Sequence, residues 1–366
     1  VASNTPDPDG GERALPRADG DADIAVTANP QPSTCAGCGR ELGPGFLACP
    51  VCHRLVHAAE LTRLASVAKQ AEAGDDLTGA LGAWRSAVQL LPPGTSQRKT
   101  IEAEMRRLSA VIDGRAPAGS TAGGKGRKAG ALAGLGAVGA ALLANAKLLL
   151  VGLVKLPTLL SMLWYASMTS GRGVGLSLGI IAAIYVHEVG HVATLRRYGI
   201  EASAPMFVPG FGAFVRMRQY PTDAHEEART GLAGPLWGLS ASLAALGIGV
   251  VFHLSTALQV ASWSATINAF NLLPVWQLDG ARGMKALAKG QRFIVGAAAL
   301  VAALATQQWM PAVVGAVLVG RAAFEAGHPT GDRRMLALFA GLVICHPALA
   351  WLADLLLQRA VAGVGP

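Results

Sequence analysis

Charge is scarce in this chain. Only 15% of its 366 residues are charged and 52% are hydrophobic, proportions that exclude an ordinary soluble globule. Cysteine is scarce too. Four of the five fall in two C-x-x-C pairs, Cys35/Cys38 and Cys49/Cys52, a spacing that points to metal rather than disulfides and to a reducing compartment. The first 34 residues have few large apolar side chains, so they lack the apolar core of a signal peptide and read as a disordered tail. Near the cysteine pairs basic residues are few and no aromatic stacking platform is present, which argues against a nucleic-acid partner.

What is abundant is apolar sequence, and it is concentrated from Leu148 onward. Runs at 148–170, 174–196, 231–253, 257–274, 293–307, 310–325 and 335–357 are candidate membrane spans, against the roughly 20 residues needed to cross a hydrocarbon core. The later runs include two short ones, so the expected total is six or seven. The Ala/Gly-rich stretch 131–146 reads as a connecting or interfacial helix. With 148–170 as the first span and the head in the cytosol, Arg196, Arg197, Arg216, Arg218, Arg229, Arg282, Lys285, Lys289 and Arg292 all face inward, and one more span would reverse every one of them. The chain is thus expected to be a multi-pass protein of the cell membrane with a cytosolic N-terminal head.

The expected organisation is a tail over 1–34, a four-cysteine module over 35–57 and a helical region over 58–112. A linker with a connecting helix (113–147), a catalytic membrane core (148–290) and C-terminal spans (291–366) follow. Four thiolates at this spacing form a closed tetrahedral zinc site, so Cys35, Cys38, Cys49 and Cys52 are expected to hold a structural zinc in a fold that resembles a zinc ribbon. Residues 71–92 look like one weak tetratricopeptide-type unit, either a small bundle packed on the ribbon or a surface for a cytosolic protein partner.

The chemistry lies in His187-Glu188-Val189-Gly190-His191, inside the apolar run GIIAAIYVHEVGHVATL. Residues four apart share one helix face, so both imidazoles can reach one ion, and Glu188 can take a proton from a water beside it. Two histidines and a glutamate at membrane depth are costly unless they pair or bind something. The best third ligand is Asp279, in Asn271-Leu272-Leu273-Pro274-Val275-Trp276-Gln277-Leu278-Asp279-Gly280. Pro274 interrupts the helix there, and non-helical backbone at this depth is tolerated where it lines a cavity. Taken alone, Asp279 also reads as a helix N-cap before ARGMKAL.

HEVGH on one apolar segment and NLLPVWQLDG on a later one resemble the site-2 protease family of intramembrane zinc metalloproteases, over about residues 148–290. The resemblance implies a catalytic zinc on His187, His191 and Asp279, with Glu188 activating water. It implies that Asn271, eight positions before the aspartate, holds the substrate carbonyl or its oxyanion. It also implies a re-entrant β-hairpin within Ala202–Arg218, where Phe207, Val208, Gly210, Gly212 and Phe214 would meet an unwound substrate by strand addition. The expected fold is an α-helical polytopic membrane protein with that hairpin, a small cytosolic zinc ribbon and a helical head. The expected function is hydrolysis of transmembrane or membrane-proximal proteins in the bilayer, with one catalytic and one structural zinc. Two other readings use the same residues: a catalytically silent membrane scaffold, and a zinc transporter or sensor.

Overall fold

The computed structural model describes residues 34–115, 171, 173–202, 206–208, 212–214, 219 and 221–362. The tail, most of the linker, the connecting helix, the first expected span (148–170) and Gly210 lie outside these residues. The chain divides into two compact units, Val1–Ala59 and Glu60–Pro366.

In the first unit two similar knuckles follow one another. The bridges Thr34↔Glu41 and Ala48↔Leu55 bracket Cys35/Cys38 and Cys49/Cys52 respectively. In each knuckle the first cysteine donates its N–H across the turn, Cys35 to the Arg40 carbonyl at 2.7 Å and Cys49 to the Arg54 carbonyl at 2.9 Å. The residue after each second cysteine, Gly39 or His53, has positive φ, which turns the backbone sharply enough to bring both thiols to one side.

The second unit is helical: α1 (Ala58–Ala73), α2 (Leu77–Gln89), α3 (Ser96–Ile112), α4 (Val174–Arg197), α5 (Ala224–Val251), α6 (Ser255–Asn271), the short α7 (Asp279–Gly283), α8 (Lys289–Thr306), α9 (Trp309–Phe324) and α10 (Arg333–Val361). Strands β1 (Met206–Val208) and β2 (Gly212–Phe214) pair antiparallel, with Phe207 opposite Ala213. Among the described residues α4, α5 and α10 are long and apolar enough to cross a membrane. Large apolar side chains also point outward, among them Leu178, Val251, Val301, Leu304 and Phe324, the last 92% exposed. Such a surface needs lipid or another apolar cover.

Helix ends follow local chemistry. α4 runs through an apolar stretch interrupted by His187, Glu188 and His191 and stops after Arg196 and Arg197, whose charges suit a helix C-terminus. Gly199, at φ 65°, then turns the chain left-handed, and the Ile200 N–H closes onto the Leu195 carbonyl at 3.0 Å. α5 starts at Ala224, seven residues ahead of its apolar run. Asp223 caps it and Glu226 and Glu227 occupy its first turn, so polar residues nucleate a helix that apolar residues then extend.

Two cores result. One joins Leu232, Leu272, Leu287, Val295, Leu318 and Phe339 across α5, α6 and α8–α10. The other joins Leu81, Trp84, Met105 and Leu108 of α2 and α3 to Leu195, Tyr198 and Ile200 at the end of α4. The head helices therefore share a hydrophobic core with a helix long enough to span a membrane.

Candidate metal centre

His187, Glu188 and His191 are all buried on α4. Asp279 comes from a different part of the chain. α6 ends at Asn271, and the chain passes through Pro274 and through Trp276, held at φ 48°, before turning back. Gly280 makes this return possible, since a Cβ there would collide with the Leu272 carbonyl. Leu278, not Asp279, occupies the N-cap of α7, and Asp279 is its first residue. The N-cap reading of Asp279 is therefore corrected: its carboxylate is turned onto the histidines, and the first turn of α7 begins without a side-chain cap.

The three ligand groups converge. His187 Nε2 lies 3.1 Å from Asp279 Oδ2, His191 Nε2 lies 3.3 Å from Asp279 Oδ1, and the two Nε2 atoms are 3.1 Å apart. Tetrahedral zinc with bonds near 2.1 Å sets its ligand atoms ~3.4 Å apart, so the triangle is the size the ion requires. Three protein ligands leave the fourth position for water or substrate.

Hydrogen bonds select the ring tautomers. His191 Nδ1 donates to the Thr230 carbonyl at 2.8 Å, and His187 Nδ1 donates to Asn268 Oδ1 at 2.7 Å. The Asn268 amide is itself oriented, because its Nδ2 donates to the Ser264 carbonyl at 2.8 Å. Both protons therefore sit on Nδ1, and both Nε2 lone pairs are free to face a cation. Asn268→Ala should weaken zinc binding at this site about 10–100-fold. Competition with a chelator of known affinity checks this; an unchanged affinity would separate Asn268 from the centre.

Glycine makes the surrounding wall thin. The Gly234 backbone packs against both imidazoles, and a Cβ there would fall inside the contact distance of both Nε2 atoms. Gly190 meets the Ala233 carbonyl and the Trp237 ring in the same way, which brings α4 and α5 together. Behind Gly234, the fully buried His346 of α10 donates from Nε2 to the Pro235 carbonyl at 3.0 Å.

The ribbon cysteines form a second convergent set. Cys35 and Cys52 Sγ are 3.5 Å apart, and Cys38 and Cys49 Sγ are 3.6 Å apart, near the ~3.8 Å that tetrahedral zinc–thiolate bonds impose. The backbone N–H groups of Cys52 and Val51 draw the Cys49 thiol down to about 6. The Arg40 N–H also draws Cys38 down, yet the bond to Cys49, desolvation and the other thiols push it up to about 11. Four crowded thiols cannot all ionise without a cation among them, and a dication supplies that charge.

Several of these groups were not singled out in the sequence. Asn268 and His346 carry a visible signal, a polar side chain inside an apolar run. Thr230 carries none, because it acts through its backbone carbonyl. Asn271 is partly exposed and lies one turn beyond Asn268 on the same helix face. Phe207, Val208, Gly212 and Phe214 lie in the β1–β2 pair.

Residues 175–262 match the model of peptidase family M50. The chain carries an M50 peptidase domain. The match takes in both histidines and Glu188 and ends before Asp279, which joins the centre through the fold. The chain is also similar to a zinc metalloprotease of Methanocaldococcus jannaschii, at 24% identity over 113 residues, 30% of this chain and 32% of the relative. The similarity therefore spans about a third of that curated relative. No solved structure matches.

Proposed function

We propose that this chain is an intramembrane zinc metalloendopeptidase that hydrolyses transmembrane or membrane-proximal proteins. The observation that carries the reading is the centre itself: two imidazoles locked in the metal-binding tautomer, a carboxylate at zinc distance, and Glu188 buried beside them. The M50 match supports it. A silent scaffold needs no base adjacent to its metal ligands. A transporter must release its cargo, whereas these ligands are oriented by second partners that favour a resident ion.

When bound, the zinc supplies Lewis acidity, polarising the scissile carbonyl and lowering the pKa of a water. Glu188 takes a proton from the attacking water as its oxygen bonds the carbonyl carbon. Asn271 donates its amide N–H to the oxygen that gains charge. Glu188 then returns the proton to the leaving nitrogen as the C–N bond breaks, leaving an amine and a carboxylic acid that loses its remaining proton to solvent. Asn268 and the Thr230 carbonyl keep the imidazoles in place. The scissile bond must leave helical form first, and the β1–β2 pair is the proposed docking edge, dipping into the membrane as a re-entrant hairpin. Six or seven spans, a cell-membrane location and a cytosolic head complete the reading. The head also offers a surface to a cytosolic protein partner.

The purified chain should hold two zinc ions, and a Cys35→Ser/Cys38→Ser variant one. That variant should still cut a single-span model substrate in liposomes, with cleavage stopped by a chelator and restored by zinc. Elemental analysis that found no zinc in the variant, or cleavage indifferent to the chelator, would refute the metal-dependent reading.

A further inference from the structure

The head helices are joined to the metal-bearing helices by an ion pair that is almost wholly dry. Arg85 of α2 donates from Nη2 to Glu226 Oε2 of α5 at 2.6 Å, with side chains 2% and 0% exposed. The same guanidinium donates from Nε to the Tyr198 carbonyl, just past the end of α4, at 2.9 Å. One head residue thus grips both α4 and α5. Ser109 of α3 donates to the other oxygen of Glu226, and the Thr222 N–H to Oε2 at 3.1 Å.

A second set runs beside the first. Asp113, the cap of α3, accepts from the Tyr198 hydroxyl at 2.8 Å and pairs with Arg229 of α5. The Asp113 carbonyl accepts from Arg334 at the start of α10 at 2.7 Å. Gly199 meets the backbone of Thr78 and Gly82 so closely that no side chain would fit.

These contacts fall where the metal centre depends on register. The His191–Thr230 bond joins α4 to α5. Glu226 stands one turn before Thr230 on the same face of α5, and Arg229 is its neighbour. On α4, Leu195 lies one turn beyond His191 and is buried in the core shared with the head. A small slide or rotation between α4 and α5 would pull the Thr230 carbonyl away from His191 Nδ1 and release the ring.

We propose that the helical head is a clamp for the metal centre, with Arg85 as its chief positioning residue: by bridging Glu226 and the Tyr198 carbonyl it fixes the α4–α5 register in which His191 can ligate. This gives the head a part in building the centre, and it rests on the metal reading of that centre.

The test measures zinc affinity by chelator competition, and the visible spectrum with cobalt in place of zinc. It uses the full chain carrying Cys35→Ser and Cys38→Ser, so that one site reports. Arg85→Ala should weaken zinc binding at least about tenfold and alter the cobalt spectrum, the scale of losing an outer partner of a ligand. Arg85→Lys keeps the charge but replaces the two separated nitrogens of the planar fork by one, and should shift both readouts in the same direction by less. If Arg85→Ala does not fold, Arg85→Lys decides. Parent-like affinity and spectrum in the folded variants, even with a lowered melting temperature, would make the ion pair structural only and overturn the clamp. Absence of metal in the parent would instead overturn the reading beneath it.

Discussion

The Glu188→Gln protein should keep its zinc and lose about 10²–10⁴-fold in peptide-bond cleavage, the usual contribution of a positioned acid–base group. The substitution is nearly isosteric, so the buried site beside His187 and His191 should hold its shape. What changes is the chemistry: a carboxylate accepts a proton, and an amide does not at any ordinary pH. Glu188 is outside the convergent set of His187, His191 and Asp279, so the metal should remain. Single-turnover cleavage of a model substrate, paired with elemental analysis, separates the cases. Loss of zinc with loss of activity would make Glu188 part of the metal site. Full activity would hand the base role to another residue and weaken the peptidase reading itself.

Gly234→Ala should be nearly as damaging, and for a different reason. The methyl would press on both Nε2 atoms, the two that must meet the ion. Neither imidazole can retreat freely, because Asn268 and the Thr230 carbonyl hold their far sides. α5 must then shift, or one ring must leave. We expect zinc binding at least about 100-fold weaker, at or above the upper end for an outer partner, with cleavage lost in parallel. Gly247→Ala is the control on the same helix, since a Cβ there meets nothing within 4 Å. It should leave zinc affinity unchanged. Equal affinities in the two variants would mean that the Gly234 contact relaxes without cost.

The sequence by itself determined the candidate ligands of the centre. Two histidines one helical turn apart in an apolar run must either pair or bind, and that inference needs no fold. The same holds for the C-x-x-C pairs, whose spacing within each knuckle is local. Asp279 was legible as a candidate because Pro274 breaks a helix beside it, but only the loop that turns back on α6 brings its carboxylate beside His187 and His191. Only the tertiary structure decided which nitrogen of each ring is left to face a cation, because the Thr230 carbonyl and Asn268 approach from helices distant in sequence. Only it showed that Arg85 and Glu226 meet. They are 141 positions apart, and neither stands out where it lies, one on a soluble-looking helix and the other in the polar first turn of α5. Local patterns report which face of an element is apolar and which residues share a turn. They carry no record of which distant element will supply the partner for a buried charge, and here that pairing joins the head to the helices around the candidate metal centre.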